Sequence, residues 1–192
     1  MLIVVAGSIG AGKSTVAAAL ADALEIPLVS VDDDKRAVGA ETPGFEAWVA
    51  SGRPFPDEFR SKAFDRTLGR LAELVNESAH AVVEETFHRK AIRDLLFDSG
   101  GTLMGGFVLV EVVAAEAVVL ERLQARATAE ADHLAGVTMY EAFRSVSDPQ
   151  DRADFVFHND GDFAAELERC ERFLRQRVDA GSTDSSGVVG ES

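Results

Sequence analysis

Short apolar runs alternate along the chain with longer segments in which apolar residues recur at helical spacing. Five runs, at residues 2–5, 27–31, 81–83, 107–113 and 155–157, are typical of buried strands. Helical patterns lie at residues 14–24, 57–78, 89–97, 115–127, 138–146 and 163–178, and Ser99-Gly100-Gly101 is expected to stop the third of them. Strands that alternate with helices predict an α/β fold, a five-stranded parallel sheet with helices on both faces.

Three segments break this pattern. Residues 37–56 contain closely spaced Gly and Pro, so they predict turns and no regular element. Residues 126–137 include a polar connection without periodicity, which suggests a small lid, and residues 179–192 have the composition of a disordered tail. The sequence therefore predicts one domain at residues 1–178.

The overall charge narrows the set of partners. The chain has 33 acidic and 19 basic residues, a formal charge of −14 at neutral pH. This charge disfavours broad binding to nucleic acid or to anionic membranes, but not one small anionic ligand in a locally basic cleft. The sequence has no apolar run near the roughly 20 residues that span a bilayer and no signal-sequence pattern. With a lone cysteine, Cys170, these features favour a cytoplasmic protein.

The most specific pattern lies between the first apolar run and the first helix. Residues 4–15 read V-V-A-G-S-I-G-A-G-K-S-T and fit the phosphate-loop pattern G-x-x-x-x-G-K-[ST]. Glycines let successive N–H groups turn toward phosphate oxygens beside a helix N-terminus. Lys13 is expected to reach the β- and γ-phosphates of ATP, and the Ser14 hydroxyl to hold Mg²⁺. The predicted ATP-binding residues are Gly7, Ser8, Ile9, Gly10, Ala11, Gly12, Lys13, Ser14 and Thr15.

Acidic residues follow the third apolar run. In parallel α/β sheets, ligands bind beyond the carboxyl ends of the strands. Glu84 stands at such an end and is a candidate for the acidic residue near Mg²⁺, with Glu85 as the alternative. Because neighbouring side chains of a strand point to opposite faces, only one of the two is expected to face the phosphates.

A second acidic group, Asp32-Asp33-Asp34, follows the second apolar run. One of these carboxylates could accept a hydrogen bond from an acceptor hydroxyl and act as general base, and Asp32 is favoured as the first polar residue after the run. The alternative is an N-cap for a helix that begins at Lys35. The segment at about residues 33–78 is then expected to form the acceptor side.

Two arginines, Arg122 and Arg126, lie four residues apart and hence on one face of a predicted helix. A planar guanidinium donates paired hydrogen bonds to phosphate oxygens, so both are candidates for contact with the transferred group. The alternative is a solvated helix face with glutamate partners.

Four stretches of the chain together resemble the small P-loop kinases. They are the P-loop G-S-I-G-A-G-K-S-T, the strand V-S-V-D-D, the stretch V-V-E-E-T-F with R-K-A-I-R after it, and the later L-E-R-L-Q-A-R. More closely, they resemble the zeta-toxin and polynucleotide-kinase-like group. The resemblance covers roughly residues 1–175 and implies a P-loop NTPase fold with a lid, in which Asp32 serves the acceptor side and Arg122 and Arg126 belong to the lid. That group usually carries Asp at the position of Glu84. This chain differs from it there, because the side chain of Glu is longer than that of Asp.

These features predict an ATP-dependent kinase that moves the γ-phosphoryl group to a small-molecule hydroxyl or phosphate. Two alternatives stay open: a nucleotide-dependent regulatory ATPase or switch, and a nucleic-acid end kinase, which the negative charge disfavours. The sequence leaves the acceptor and the oligomeric state undetermined.

Overall fold

The computed structural model describes residues 1–51, 53, 55–129, 137–148 and 152–184, with side chains except at 92, 127–129 and 179–184. The elements, in chain order, are β1 (Leu2–Gly7), α1 (Lys13–Leu24), β2 (Leu28–Ser30), α2 (Val31–Ala40), α3 (Phe45–Ser51), α4 (Asp57–Leu74), β3 (Ala81–Glu84), α5 (Lys90–Leu103), β4 (Phe107–Val113), α6 (Glu116–Ala129), α7 (Val137–Val146), β5 (Phe155–His158) and α8 (Phe163–Asp184). In these described ranges, no helix is both long enough and apolar enough to cross a membrane.

The five strands form one parallel sheet in the order β2-β3-β1-β4-β5. The predicted fold class is therefore confirmed. β1 is the central strand, with Ile3 opposite Val82 on β3 and Val108 on β4. The strands that follow β1 lie first on one side of it and later on the other, so the strand order reverses at β1. In α/β sheets, ligands bind at such a reversal, which here is the loop after β1.

Two hydrophobic cores cover the two faces of the sheet. Successive strand side chains point to opposite faces, so β1 contributes Leu2 and Val4 to one core and Ile3 and Val5 to the other. The first core includes residues of α4 and α5, and the second includes residues of α1 and α8. Burial on both faces explains why the strand sequences are almost continuously apolar.

The prediction that residues 37–56 lack a regular element was wrong, because α2 extends into this segment and α3 lies within it. The Phe45 ring stacks on Phe55 and Phe59 with centroids 5.5 Å apart in each pair. Gly39 lets the ring approach, since a Cβ there would lie 2.5 Å from a Phe45 ring atom. Aromatic packing between distant residues thus orders a segment whose local sequence favours turns.

Ser99-Gly100-Gly101 also does not stop a helix, because α5 continues to Leu103. A Cβ at Gly100 would lie 2.9 Å from the Leu2 side chain, which is fully buried. The glycine therefore allows close packing of the helix on the sheet, a contact between residues far apart in sequence.

The third difference concerns the chain end. α8 extends to Asp184, six residues past the predicted helix end, and the rest of the predicted tail, residues 185–192, lies outside the described residues. Residues 130–136, most of the predicted lid, are also outside them.

The first core should be sensitive to the loss of one buried leucine. Leu71 on α4 is fully buried, whereas Leu95 on α5 is 43% exposed. Leu71→Ala should lower the free energy of unfolding by about 2–5 kcal/mol, because it removes apolar contacts and leaves a cavity. Urea unfolding would measure this, with Leu95→Ala as the matched control. Equal losses in the two variants would contradict the described core.

Candidate active site

The P-loop (residues 7–15) connects the central strand β1 to α1 in a tight turn. Ala11 N donates to Ser8 O at 3.2 Å, and Val16 N donates to Gly12 O at 3.1 Å as α1 begins. Gly12 has a φ of 93°, in the left-handed region that favours glycine. A Cβ at this position would lie 2.2 Å from the Asn159 amide nitrogen, so a side chain is excluded on steric grounds as well.

The back of this loop is held by two side chains from later in the chain. Asn159 Nδ2 donates to Ala11 O at 2.7 Å, and Arg122 Nη1 donates to the same oxygen at 3.3 Å. Arg122 Nη2 also donates to Asn159 O at 2.6 Å. These bonds satisfy the carbonyl group of Ala11, which is a strong hydrogen-bond acceptor. The sequence analysis did not predict a role for Asn159. The one indication in the sequence was its position as a polar residue just after the fifth apolar run.

Lys13 and Ser14 stand at the start of α1. Lys13 Nζ donates to Ser8 O at 3.1 Å, so its side chain folds over the loop. Desolvation lowers the pKa of Lys13, and the negative charges of Glu84, Glu85 and Asp32 oppose this shift. The lysine is thus surrounded by carboxylates, and no salt bridge within 4 Å is recorded for it among the described residues.

Glu84 is the strand-end carboxylate that faces the P-loop. Its Oε2 accepts from Ser14 Oγ and its Oε1 accepts from Ser30 Oγ, each at 3.4 Å. Desolvation raises the pKa of Glu84, with the charge of Lys13 opposing and those of Asp32 and Glu85 adding to the shift. The side chain of Glu85 points elsewhere, as the alternation along a strand requires.

The three aspartates lie in the first turn of α2, after β2 has ended at Ser30. The helix begins at Val31, four residues before Lys35, and its N-cap residue is Ser30. The aspartates therefore belong to a helix start, as in the alternative prediction, but the predicted start at Lys35 and an aspartate N-cap were wrong. Acidic residues are favourable there because they face the positive end of the helix dipole.

Each aspartate has a different partner. Asp34 is buried and accepts from Thr67 Oγ1 at 2.8 Å and from Arg70 Nη1 at 3.1 Å. Asp33 pairs with Arg36 in an exposed salt bridge. Asp32 pairs with Lys35, its side chain is 56% exposed, and it interacts electrostatically with Lys13. Of the three, Asp32 is the one placed between solvent and the P-loop.

A buried charge cluster of Lys35, Glu85, Arg60 and His88 adjoins Asp32. Lys35 Nζ donates to Asp32 Oδ1 at 2.9 Å and to Glu85 Oε2 at 2.5 Å. On the other side of Glu85, Oε1 lies 3.7 Å from Arg60 Nη2, and both side chains are 1% exposed. This cluster could not be predicted from the sequence, because its members come from α2, α4 and the segment after β3.

Two cavities of about 180 and 250 Å³ adjoin the P-loop on the side of α5 and α7. Both are lined by Ser8, Thr86 and Ser147. The first is also lined by His88, Arg93, Glu111 and Asp148, and the second by Tyr140, Phe143 and Arg144. They offer room for a small molecule next to the predicted phosphate site.

The two predicted arginines are placed differently. Arg122 contacts the back of the P-loop, whereas Arg126, one turn further along α6, is exposed. The structure thus brings Arg122 to the loop but does not bring Arg126 to it.

The central P-loop and the strand-end carboxylates on a five-stranded parallel sheet define the class of P-loop kinases. A family model described as an AAA domain matches residues 2–146, and the chain belongs to this family. It is also similar to an adenylate kinase of Corynebacterium glutamicum (strain R), with 34% identity over 139 residues, 68% of this chain and 72% of that protein. The prediction of an ATP-dependent kinase is therefore confirmed at the level of enzyme class.

Solved structures support the fold. A sugar kinase from Janibacter sp. HTCC2649 superposes with a TM-score of 0.67 at 17% identity, covering 91% of this chain and 94% of that one. A gluconokinase from Sinorhizobium meliloti 1021 gives 0.63 at 24% identity, with 91% and 95% covered. Shikimate kinase from Aquifex aeolicus gives 0.57 at 18% identity, with 93% and 98% covered.

The buried imidazole of His88 should make stability depend on pH. Desolvation and the positive charges of Arg60 and Lys35 lower the pKa of His88 from 6.5 to about 3. Between these values the unfolded chain binds a proton that the folded chain does not, so the free energy of unfolding falls as the pH falls. The free energy of unfolding should be about 2 kcal/mol lower at pH 5 than at pH 7. In His88→Gln this difference between the two pH values should disappear.

Urea unfolding at pH 7 and pH 5 would measure the effect. His158→Gln is the matched control, since His158 is exposed, and it should keep the wild-type profile. An unchanged profile in His88→Gln would show that the pKa of His88 is the same in the folded and the unfolded protein.

Proposed function

We propose that the protein transfers the γ-phosphoryl group of ATP to a small-molecule hydroxyl or phosphate. The observation that carries this proposal is the position of Asp32, a half-exposed carboxylate beside the P-loop lysine. Two cavities that adjoin the same loop offer room for a second molecule, which simple hydrolysis would not need. The proposal assigns the P-loop to the donor and the adjoining cavities to the acceptor.

Each residue has a role in this proposal. The P-loop N–H groups and Lys13 bind the phosphates of ATP, and the charge of Lys13 offsets the negative charge that spreads over the transferred group. Asp32 accepts the hydrogen bond of the acceptor hydroxyl, orients its oxygen and takes its proton. Desolvation opposes ionisation of Asp32, but the charges of Lys35 and Lys13 lower its pKa, so it is ionised at neutral pH and ready to accept.

We also propose Mg²⁺ as the cofactor. Ser14 and Glu84 are the residues that would hold it, because a hydroxyl and a carboxylate oxygen converge there and Mg²⁺ prefers oxygen ligands. When bound with ATP, Mg²⁺ neutralises phosphate charge.

Several finer assignments belong to this proposal. The hydrogen bond from Arg122 to Ala11 O supports a role at the P-loop. The resemblance to the zeta-toxin and polynucleotide-kinase-like group implies that Arg122 and Arg126 both belong to the lid, and we propose that role for Arg126. The names of the relatives support a small-molecule acceptor, since a sugar kinase and a gluconokinase share the fold and an adenylate kinase is 34% identical over 139 residues. We propose the cytoplasm as the setting, where ATP is available and the lone Cys170 would stay reduced.

Labelled ATP, Mg²⁺ and a panel of sugars, polyols, nucleosides, nucleotides and oligonucleotides would test the proposal. Label transfer that depends on one small acceptor supports it. Tight ATP binding without transfer to any acceptor would instead favour the regulatory switch, and transfer to oligonucleotide ends would favour the end kinase.

Asp32→Ala should lower kcat for transfer by about 10²–10⁴-fold, because it removes the group that orients and deprotonates the acceptor. ATP binding, measured by calorimetry, should stay near wild type. Asp33→Ala is the matched control, since its carboxylate pairs with Arg36 at the surface, and it should transfer normally. Lys13→Ala should abolish turnover. Wild-type transfer by Asp32→Ala would exclude Asp32 as the base.

Glu84→Gln should raise the Mg²⁺ concentration needed for half-maximal activity by about 10–100-fold, because a neutral amide holds the metal and its water shell less well. A Mg²⁺ titration at fixed ATP would measure it. The control is Glu73→Gln on the exposed side of α4, which should titrate like wild type. If the two variants behave alike, Glu84 has no part in metal binding.

A further inference from the structure

The charges beside the P-loop bear on the nature of the acceptor. We propose that the acceptor is an uncharged hydroxyl compound of the sugar or polyol type, and that acceptors with a carboxylate or phosphate group are disfavoured. This inference rests on the proposed kinase function and on the assignment of the two P-loop cavities to the acceptor.

The lysine nearest to Asp32 already has its charge compensated. Lys35 is buried and donates to two carboxylates, Asp32 at 2.9 Å and Glu85 at 2.5 Å. An anionic acceptor at Lys35 would therefore meet two carboxylates that already compensate the lysine charge. Displacing either one would leave an uncompensated buried charge, which is strongly unfavourable.

The two arginines that line the cavities already have partners. Arg93 Nη1 donates to the backbone oxygens Phe87 O at 3.0 Å and Asp148 O at 3.2 Å, and Arg144 pairs with Glu116. The lining of the first cavity also contains two carboxylates, Glu111 and Asp148. An anion in the first cavity would therefore meet two carboxylates and one arginine that backbone carbonyl groups hold in place.

The neutral part of the lining suits hydroxyl groups. Ser8, Thr86 and Tyr140 carry hydroxyls that can both donate and accept, and the carboxylate of Glu111 can accept. A polyol supplies donors for carboxylates and acceptors for hydroxyls in one molecule. Phe143 and Tyr140 add apolar surface, against which the C–H faces of a sugar can pack.

The predicted lid, residues 126–137, contains one arginine, Arg126, and two acidic residues, Glu130 and Asp132, so its formal charge is negative. Near the charge cluster, the side chain of Arg89 is 45% exposed and lies 3.8 Å from Asp57. This exposed arginine therefore already has a carboxylate nearby.

The test is a comparison of acceptors that differ only in charge: glycerol with glycerate, glucose with gluconate, and adenosine with AMP. ATP, Mg²⁺ and each compound are incubated with the full chain, and kcat/KM is measured by ADP release, with the product identified by mass spectrometry. We expect any pair that is phosphorylated to favour the neutral member by about tenfold or more, which corresponds to about 1.4 kcal/mol.

The outcomes separate this inference from the proposed function. Phosphorylation that favours the anionic members would overturn the inference and leave the kinase intact. If no compound is phosphorylated, calorimetry with the ADP-bound protein decides: binding of the neutral members supports the inference, and tighter binding of the anionic members overturns it. Absence of both transfer and binding would overturn both proposals.

A variant tests whether the cavity carboxylate is the cause. Glu111→Gln should reduce the preference for the neutral member by about tenfold, because it removes one like charge from the lining. Glu121→Gln is the matched control on the exposed face of α6 and should keep the wild-type ratio. An unchanged ratio in Glu111→Gln, with wild-type thermal stability, would exclude Glu111 as a determinant of acceptor charge.

Discussion

The P-loop depends on one hydrogen-bonding constraint. A turn whose N–H groups face a phosphate must direct its carbonyl groups backward, and a buried carbonyl without a partner is unfavourable. Here Asn159 and Arg122 donate to Ala11 O from behind, and Asn159 packs where any side chain at position 12 would clash. Because Asn159 follows β5 and Arg122 belongs to α6, the donor site requires the second half of the sheet to be in place.

Charge balance is the second principle of this site. The chain carries a net charge of −14, yet five positive side chains gather near the P-loop: Lys13, Lys35, Arg60, Arg93 and Arg122. Carboxylates at the strand and helix ends compensate most of this charge. The result is a site with strong local fields and little net charge, which suits a reaction whose donor brings its own negative charge.

The strands and the P-loop could be predicted because their signals are local. Buried parallel strands are continuously apolar, and the G-x-x-x-x-G-K-[ST] spacing is tied to one backbone turn. The sequence did not predict the helices at residues 31–51 or the continuation of α5 through Gly100. In the sequence these glycines indicate turns, but in the structure they allow close packing against Phe45 and Leu2. The same holds for the cluster around Glu85, whose members are up to 53 residues apart.

The sequence alone determined the α/β class, the donor loop with Lys13 and Ser14, and a short set of strand-end acids. Only the tertiary structure decided between these acids: it turned Glu84 toward Ser14, tied Asp34 to α4 and left Asp32 half exposed beside Lys13. It also placed Arg122 behind the loop. The reason is physical: a local pattern fixes backbone conformation, whereas the charge and partners of a side chain depend on which distant elements pack around it.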